Sequence, residues 1–472
     1  MNDARRRAET LGAIAVGLAL SFTRAPAQVG PRSGAGPRLV EEAGADPQVV
    51  AAVSDSKALG YSNNHKFLVD AAGTAYLAVR TRAPAGGARI CLLRSAGRWP
   101  EASRFDSAWL EDRPGVEVST APQRAASIAL APDGSVDLAW YGGSVLEPAH
   151  QIRCARFVAD PALRVAEETQ PFTVPGFEQV YLGLLTGDEL WQEHPCLAAG
   201  PAGSLYLVWE GRDPKRRNAA GLPQPGVAWA VRDPVLGWSP SGTIEAPRYA
   251  QVDARFPSQS RPTIVAGAAG EMHVLCHGSV GGVQQILHGV LRDRAFSGWT
   301  VPCPSPNDQR YVSAASDGAG RVCFVWREQA EGGGYVSYAS LDRGGRLEGP
   351  MRVSPAGELA STPSVAVSGG TVWVAWVAWA PGAVNSEGKL DNGFPAEAGA
   401  VEGRVEITSR RTGAASFGPA IPVEAGPAAY PTWARMSDAL HAPEALLWTR
   451  VEPGPLGPAS QFQLLLARVG AR

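Results

Sequence analysis

The sequence predicts an all-β chain folded as a β-propeller of four-stranded antiparallel sheets, with seven blades expected and six the alternative count. Three observations predict it. One hairpin pattern returns along the chain, helical periodicity is nearly absent, and each repeat takes up roughly 50–70 residues, the size of one blade.

The clearest copy is residues 193–212, EHPCLAAGPAGSLYLVWEGR. A short apolar run follows Pro195, and Gly200-Pro201-Ala202-Gly203 supplies the turn. Leu205, Leu207 and Trp209 then alternate with Tyr206 and Val208. Period-two alternation with one strongly apolar face is the signature of a strand.

The copies align on the turn glycine. Gly73 leads to Val79, Gly134 to Trp140, Gly203 to Trp209, Gly270 to Cys276, Gly320 to Trp326 and Gly370 to Trp376. A last copy lacks the glycine and ends at Trp448. The first strands read HKFLVD, ASIALAP, HPCLAAG, RPTIVAG, YVSAASD, TPSVAVS and YPTWARM. Further strands follow, as at 226–231 and 285–291, and several copies close on Gly-Trp or Gly-Arg-Trp. After Trp448 the chain has one more strand, residues 461–469, and then stops. The last blade is therefore one strand short, and the spare strand near 48–53 is expected to complete it.

The ends and totals set the setting. Arg5-Arg6-Arg7, an apolar run at 11–22 and Ala25-Pro26-Ala27 read as a signal peptide over residues 1–27, cleaved before Gln28. Residues 28–45 are a Gly-, Pro- and Ala-rich linker. Residues 46–472 form the propeller, with 46–56 closing the last blade. The chain is expected to be exported, to the periplasm or the exterior, as a monomer with no membrane span in its mature part. The net charge of −2 argues against nucleic acid as a partner. Only 4 of 43 basic residues are Lys, so arginine is the default cation here and a single one says little. The six cysteines hold differing places in the repeat and form no CxxC pair, which favours buried thiols over a disulfide framework or a metal site. No metal and no cofactor are expected.

The blade pattern P-x-hydrophobic-A…G-x-hydrophobic-x-hydrophobic-x-W…G-W-S/T-x-P resembles that of the BNR-repeat, sialidase-like propellers. The resemblance is one of fold. The family's Asp-box survives only as the fragment Ser316-Asp317-Gly318, and Ser260-Arg261-Pro262 is a distant echo of its F/Y-R-I-P motif. Seven-bladed uronate-specific polysaccharide lyases are a second architectural resemblance. Both imply a carbohydrate ligand, which the arginines make anionic.

Topology narrows the search for a site. The glycine turns share one rim. The starts of first strands and ends of second strands share the other, where the long connections 167–191, 213–225, 247–260 and 380–403 emerge. First-strand starts carry His65, Arg124, His194, Arg261, Arg310, Thr362 and Tyr430; second-strand ends carry Arg80, Tyr141, Glu210, His277, Arg327, Val377 and Thr449. Hairpin pairing should join His194 to Glu210, Arg124 to Tyr141 and Arg261 to His277. The candidate catalytic residues are His194, Glu210 and Tyr141. Arg124, Arg261, Arg310, Arg327, His65 and Tyr430 are candidates to bind substrate, since guanidinium forks suit carboxylate or sulfate. In a sialidase-like hydrolase Tyr141 would be the nucleophile beside Glu210. In a uronate lyase His194 or His65 would take a proton and Tyr141 or Tyr430 return one. A non-catalytic binding or assembly propeller is the alternative. The repeated tryptophans read as core knobs, whereas Trp373 and Trp379 fall off that register and Trp379 is expected to be open to a sugar.

Overall fold

A computed structural model describes residues 48–468 apart from connecting segments, of which the longest are 110–122, 170–191, 244–257, 380–402 and 452–461. The expected signal peptide and linker lie outside the described residues, as does the body of the 380–403 connection.

The described strands pair into seven sheets. The first holds Phe67–Val69, Thr74–Arg82, Ala88–Arg98 and Phe105–Trp109 in that order. The second holds Gln123–Leu130, Val136–Gly142, Gln151–Val158 and Arg164–Thr169. The third begins Gln192–Ala199, Leu205–Arg217 and Pro223–Asp233, and the fourth Gln259–Ala266, Met272–Val280 and Val283–Arg292. The fifth begins Asp308–Ser316, Val322–Ala330 and Gly333–Leu341, and the sixth Leu359–Ser368, Thr371–Trp379 and Gly403–Arg411. The seventh joins Ala428–Trp433, Ala445–Val451, Phe462–Arg468 and, from the other end of the chain, Gln48–Val53. It is described by its backbone pairing, with Leu446 alone among its side chains. Within each sheet consecutive strands run antiparallel, and the inner strand of each sheet packs beside the inner strand of the next. This is a β-propeller of four-stranded antiparallel sheets.

Sequence dictates each hairpin. The turn glycines Gly73, Gly134, Gly203, Gly270, Gly320 and Gly370 all have positive φ, between 72° and 105°, a region side chains with a Cβ rarely enter. Between turns, period-two alternation sends apolar side chains to both faces of the sheet, and each face packs against a neighbouring sheet. Ile128, Leu138 and Trp140 of the second sheet thus share a core with Leu68, Tyr76 and Ala78 of the first. Ala129, Ala139 and Tyr141, from its other face, pack with Leu197, Leu207 and Trp209 of the third. The repeat tryptophans Trp140, Trp209, Trp326 and Trp376 are buried between sheets. Trp373 and Trp379 are buried as well, which corrects the expectation of an open platform. Both sheet faces are covered in a propeller, so neither alternating register is the solvent side. The Trp379 indole N–H is spent on Ser361 Oγ at 2.9 Å. All six cysteines are buried free thiols.

A second repeated feature is a bulge near the start of the inner strand, found in every sheet but the first. The register slips between Arg124 and Ser127, Glu193 and Cys196, Ser260 and Thr263, Arg310 and Ser313, Ser361 and Ser364, and Ala429 and Thr432. In five of these bulges one non-glycine residue is left-handed: Ala125, His194, Arg261, Tyr311 and Thr362, with φ from 46° to 60°. Such a conformation costs on the order of 1–3 kcal/mol and persists only where surrounding structure enforces it.

Candidate active site

The left-handed residues and the second-strand ends come together blade by blade. His194 Nδ1 lies 3.1 Å from Glu210 Oε2, as hairpin pairing predicts, and 3.8 Å from Glu193. The same Oε2 accepts the backbone N–H of Arg261 from the next sheet at 3.2 Å. On its other side the His194 ring meets Tyr141 of the preceding sheet, edge-on with centroids 5.5 Å apart. The Arg261 guanidinium lies 4.6 Å above the Tyr311 ring, one sheet further on, and His277 meets that ring at 6.1 Å. His194 thus faces Tyr141 and Tyr311 faces His277, each in the preceding sheet, while Arg261 gives its backbone N–H to Glu210 and lays its guanidinium over Tyr311 of the next sheet. One network spans the second to the fifth sheet.

Its charge state follows from burial and partners. Burial alone would raise the Glu210 carboxyl. The hydrogen bond and charge of His194, with Arg261 and His277 nearby, outweigh it and hold Glu210 at about 2, so it is ionised. An ionised carboxylate only accepts, so Nδ1 carries the ring hydrogen that faces Glu210, and Nε2 is the ring's other nitrogen. Burial and the Arg261 charge lower His277 to about 3, so that ring is neutral. Its Nδ1 is buried without a hydrogen-bond partner. Arg327, also buried, passes close to Gly334 and bonds Gln329; burial lowers its pKa from the ordinary guanidinium value.

The remaining predicted residues fall differently. Arg124 pairs with Tyr141 in the ladder but is exposed, one residue before the bulge, where Ala125 takes the inward place. Arg310 is likewise exposed and bonds Asp308 at 2.9 Å, while Tyr311 takes the inward place. His65 is buried beside the second sheet, where its carbonyl accepts from Ile128 and its amide donates to Ser127 Oγ at 3.3 Å. The residue at the repeat position of His194 is Asn64 instead. Arg261 sits in the bulge rather than opposite His277, whose ladder partner is Ser260. The Tyr430 side chain lies outside the described residues.

Tyr311 is the functional candidate that sequence reasoning missed. A signal existed: Tyr311 stands nine residues before Gly320, as His194 stands before Gly203 and Arg261 before Gly270. The same count finds Asn64 before Gly73. Among the described residues, no cluster of three or more His, Cys, Asp or Glu side chains could hold a metal ion.

No protein family and no curated protein matches this chain. Among solved structures it is similar to a polysaccharide lyase described as an ulvan lyase of a new PL25 family. The TM-score is 0.53 and the identity 11%, over 89% of this chain and 95% of that one. It is also similar to the polysaccharide lyase Uly1, with TM-score 0.49, 10% identity and coverage of 90% and 99%. The Hadza microbial sialidase Hz136 gives 0.45, 11%, 83% and 73%. The resemblance to sialidase-like propellers read from the sequence holds at the level of the fold.

Proposed function

We propose that this chain is an exported propeller that cleaves an acidic carbohydrate by β-elimination, with His194 as the base. The observation that carries the reading is the Glu210–His194 pair. A buried, ionised carboxylate bonded to Nδ1 orients the imidazole and leaves Nε2 as the nitrogen that would take the proton. In this reading Arg261 neutralises the carboxylate of a uronate residue, which acidifies the adjacent C–H. His194 takes that proton, a carbon–carbon double bond forms, and the bond to the neighbouring sugar oxygen breaks. Tyr311, partly exposed where Tyr141 is buried, returns a proton to the leaving oxygen. The hydrolase alternative asks Glu210 to activate Tyr141. Glu210 Oε2 is instead shared by His194 and the Arg261 amide, which favours the lyase.

The finer architecture belongs to the same proposal. Each of the seven sheets is taken as one blade, and what supports that count is the pairing of both chain regions, Gln48–Val53 and Phe462–Arg468, in one further four-stranded sheet. Export rests on the signal-like residues 1–27, and the anionic ligand on Arg261 and Arg327.

The test is a turnover screen of residues 28–472 on sialosides and uronate polysaccharides, read by released sugar and by unsaturated-product absorbance. Uronate polymers should give the absorbance signal, and His194→Ala should lower kcat by about 100-fold or more. Released sialic acid would move the assignment to the hydrolase. Binding without turnover in either channel would make this a recognition propeller.

A further inference from the structure

Two asparagines ahead of the first inner strand reach across the ring. The Asn64 carboxamide donates through Nδ2 to the carbonyl of Pro195, in the third sheet. Asn63 Nδ2 donates to the carbonyl of Pro262, in the fourth, at 2.8 Å. Both side chains are buried, at 2% exposure. The accepting carbonyls belong to the residues directly after His194 and Arg261, inside the two bulges that build the candidate site. Neither Pro195 nor Pro262 has a ladder partner on its second strand. A carbonyl left unpaired by a bulge and buried costs a few kcal/mol unless something donates to it. Here the donors come from a different blade.

The inner strand is an edge strand, which explains the prolines. Proline lacks an amide hydrogen and is tolerated where the strand edge has no ladder partner. It stands at this position in Pro195, Pro262, Pro363 and Pro431. The carbonyls remain as acceptors on that edge, and they need a donor that is not part of any strand. For Pro195 and Pro262 the donors are Asn64 and Asn63, in a segment where Ala58, Leu59, His65 and Lys66 are buried as well.

We propose that Asn63 and Asn64 are positioning residues for the candidate site, a strap from the first blade that locks the left-handed bulges carrying His194 and Arg261. The strap rests on the reading of those two residues as site residues, and it acts through them. Without the two carboxamides nothing else described holds the Pro195 and Pro262 carbonyls, and the strained backbone is freed to relax. His194 then loses its alignment to Glu210, and the Arg261 amide its hydrogen bond to the same carboxylate.

The experiment does not need a substrate. Asn63→Ala, Asn64→Ala and the double variant are compared with the wild-type chain by NMR on isotope-labelled histidine and by amide hydrogen exchange. The His194 Nδ1–H, bonded to a carboxylate, should give a downfield resonance, assigned with His194→Gln. Asn64→Ala should shift or broaden that resonance. Asn63→Ala should speed exchange at the Arg261 amide about tenfold and leave Ile264, deeper in the same strand, unchanged. Lower thermal stability with the resonance and Arg261 exchange both unaltered would overturn the proposal and leave the asparagines as ordinary packing. Asn63→Ser and Asn64→Ser, too short to span to the carbonyls, give the same readouts if the alanine variants fail to fold. A wild-type spectrum without the resonance would refute the His194–Glu210 pair, and the Arg261 exchange comparison would still decide the strap.

Discussion

Glu210 shows how much one side chain's neighbours decide. Its carboxylate receives a ring N–H from its own sheet and a backbone N–H from the next, so it fixes a side chain and a backbone turn together. The pairing with His194 was legible in the sequence because hairpin register alone brings the two near. The link to Arg261 was not, because it depends on a backbone bulge that inserts a residue without changing composition. Arg124 and Arg310 illustrate the same limit: as arginines at the starts of first strands they stand one residue away from the inward place. Close approach at Gly334 offers a test at this scale. A Cβ there would stand 2.3 Å from Arg327 Nε, so Gly334→Ala must displace the guanidinium. Ligand affinity should fall about tenfold while the melting temperature moves little, measured by titration with an acidic oligosaccharide and by thermal melts.

At the scale of elements, the hairpin was legible throughout, since a turn glycine, an alternating strand and a tryptophan recur at fixed offsets. The bulge was partly legible: Pro195, Pro262, Pro363 and Pro431 mark it, whereas the second and fifth blades carry Ala126 and Val312 there and gave no warning. The strain predicts an asymmetry between two buried threonines. Thr362 has φ of 46° and an Oγ1 without a partner, while Thr408 Oγ1 donates to the Gly418 carbonyl at 2.8 Å. Glycine accepts positive φ freely. Thr362→Gly should therefore stay within about 1 kcal/mol of the parent, and Thr408→Gly should cost about 2–3 kcal/mol. Denaturant melts of the two variants check it; equal losses would mean the bulge at Thr362 stores no strain.

The whole molecule is expected to be acid-sensitive. His273 and His288 bond ring to ring, Nδ1 to Nε2, at 2.9 Å, and burial holds them at about 4 and about 3; His277 is at about 3. All three are neutral in the fold and take up protons near pH 6.5 when unfolded. The unfolded chain then binds more protons as pH falls, so stability is lost from about pH 6.5 down toward pH 3–4, by up to about 1.4 kcal/mol per unit for each group. Glu210 adds to the loss below about pH 4.5, because its folded value is depressed and protonation favours the unfolded chain. Melting temperatures between pH 7 and 4 should fall steadily, and His273→Phe combined with His288→Leu should flatten that slope. Gln48–Val53 pairs with Phe462–Arg468, so the first described strand has no sheet to join until nearly the whole chain has been made. Contacts so distant in sequence close slowly. Until they form, the blades on either side of the seam present open strand edges to any other chain that meets them. The closing strand is thus a timer as well as a clasp: the ring becomes safe from misassembly only when its two ends meet.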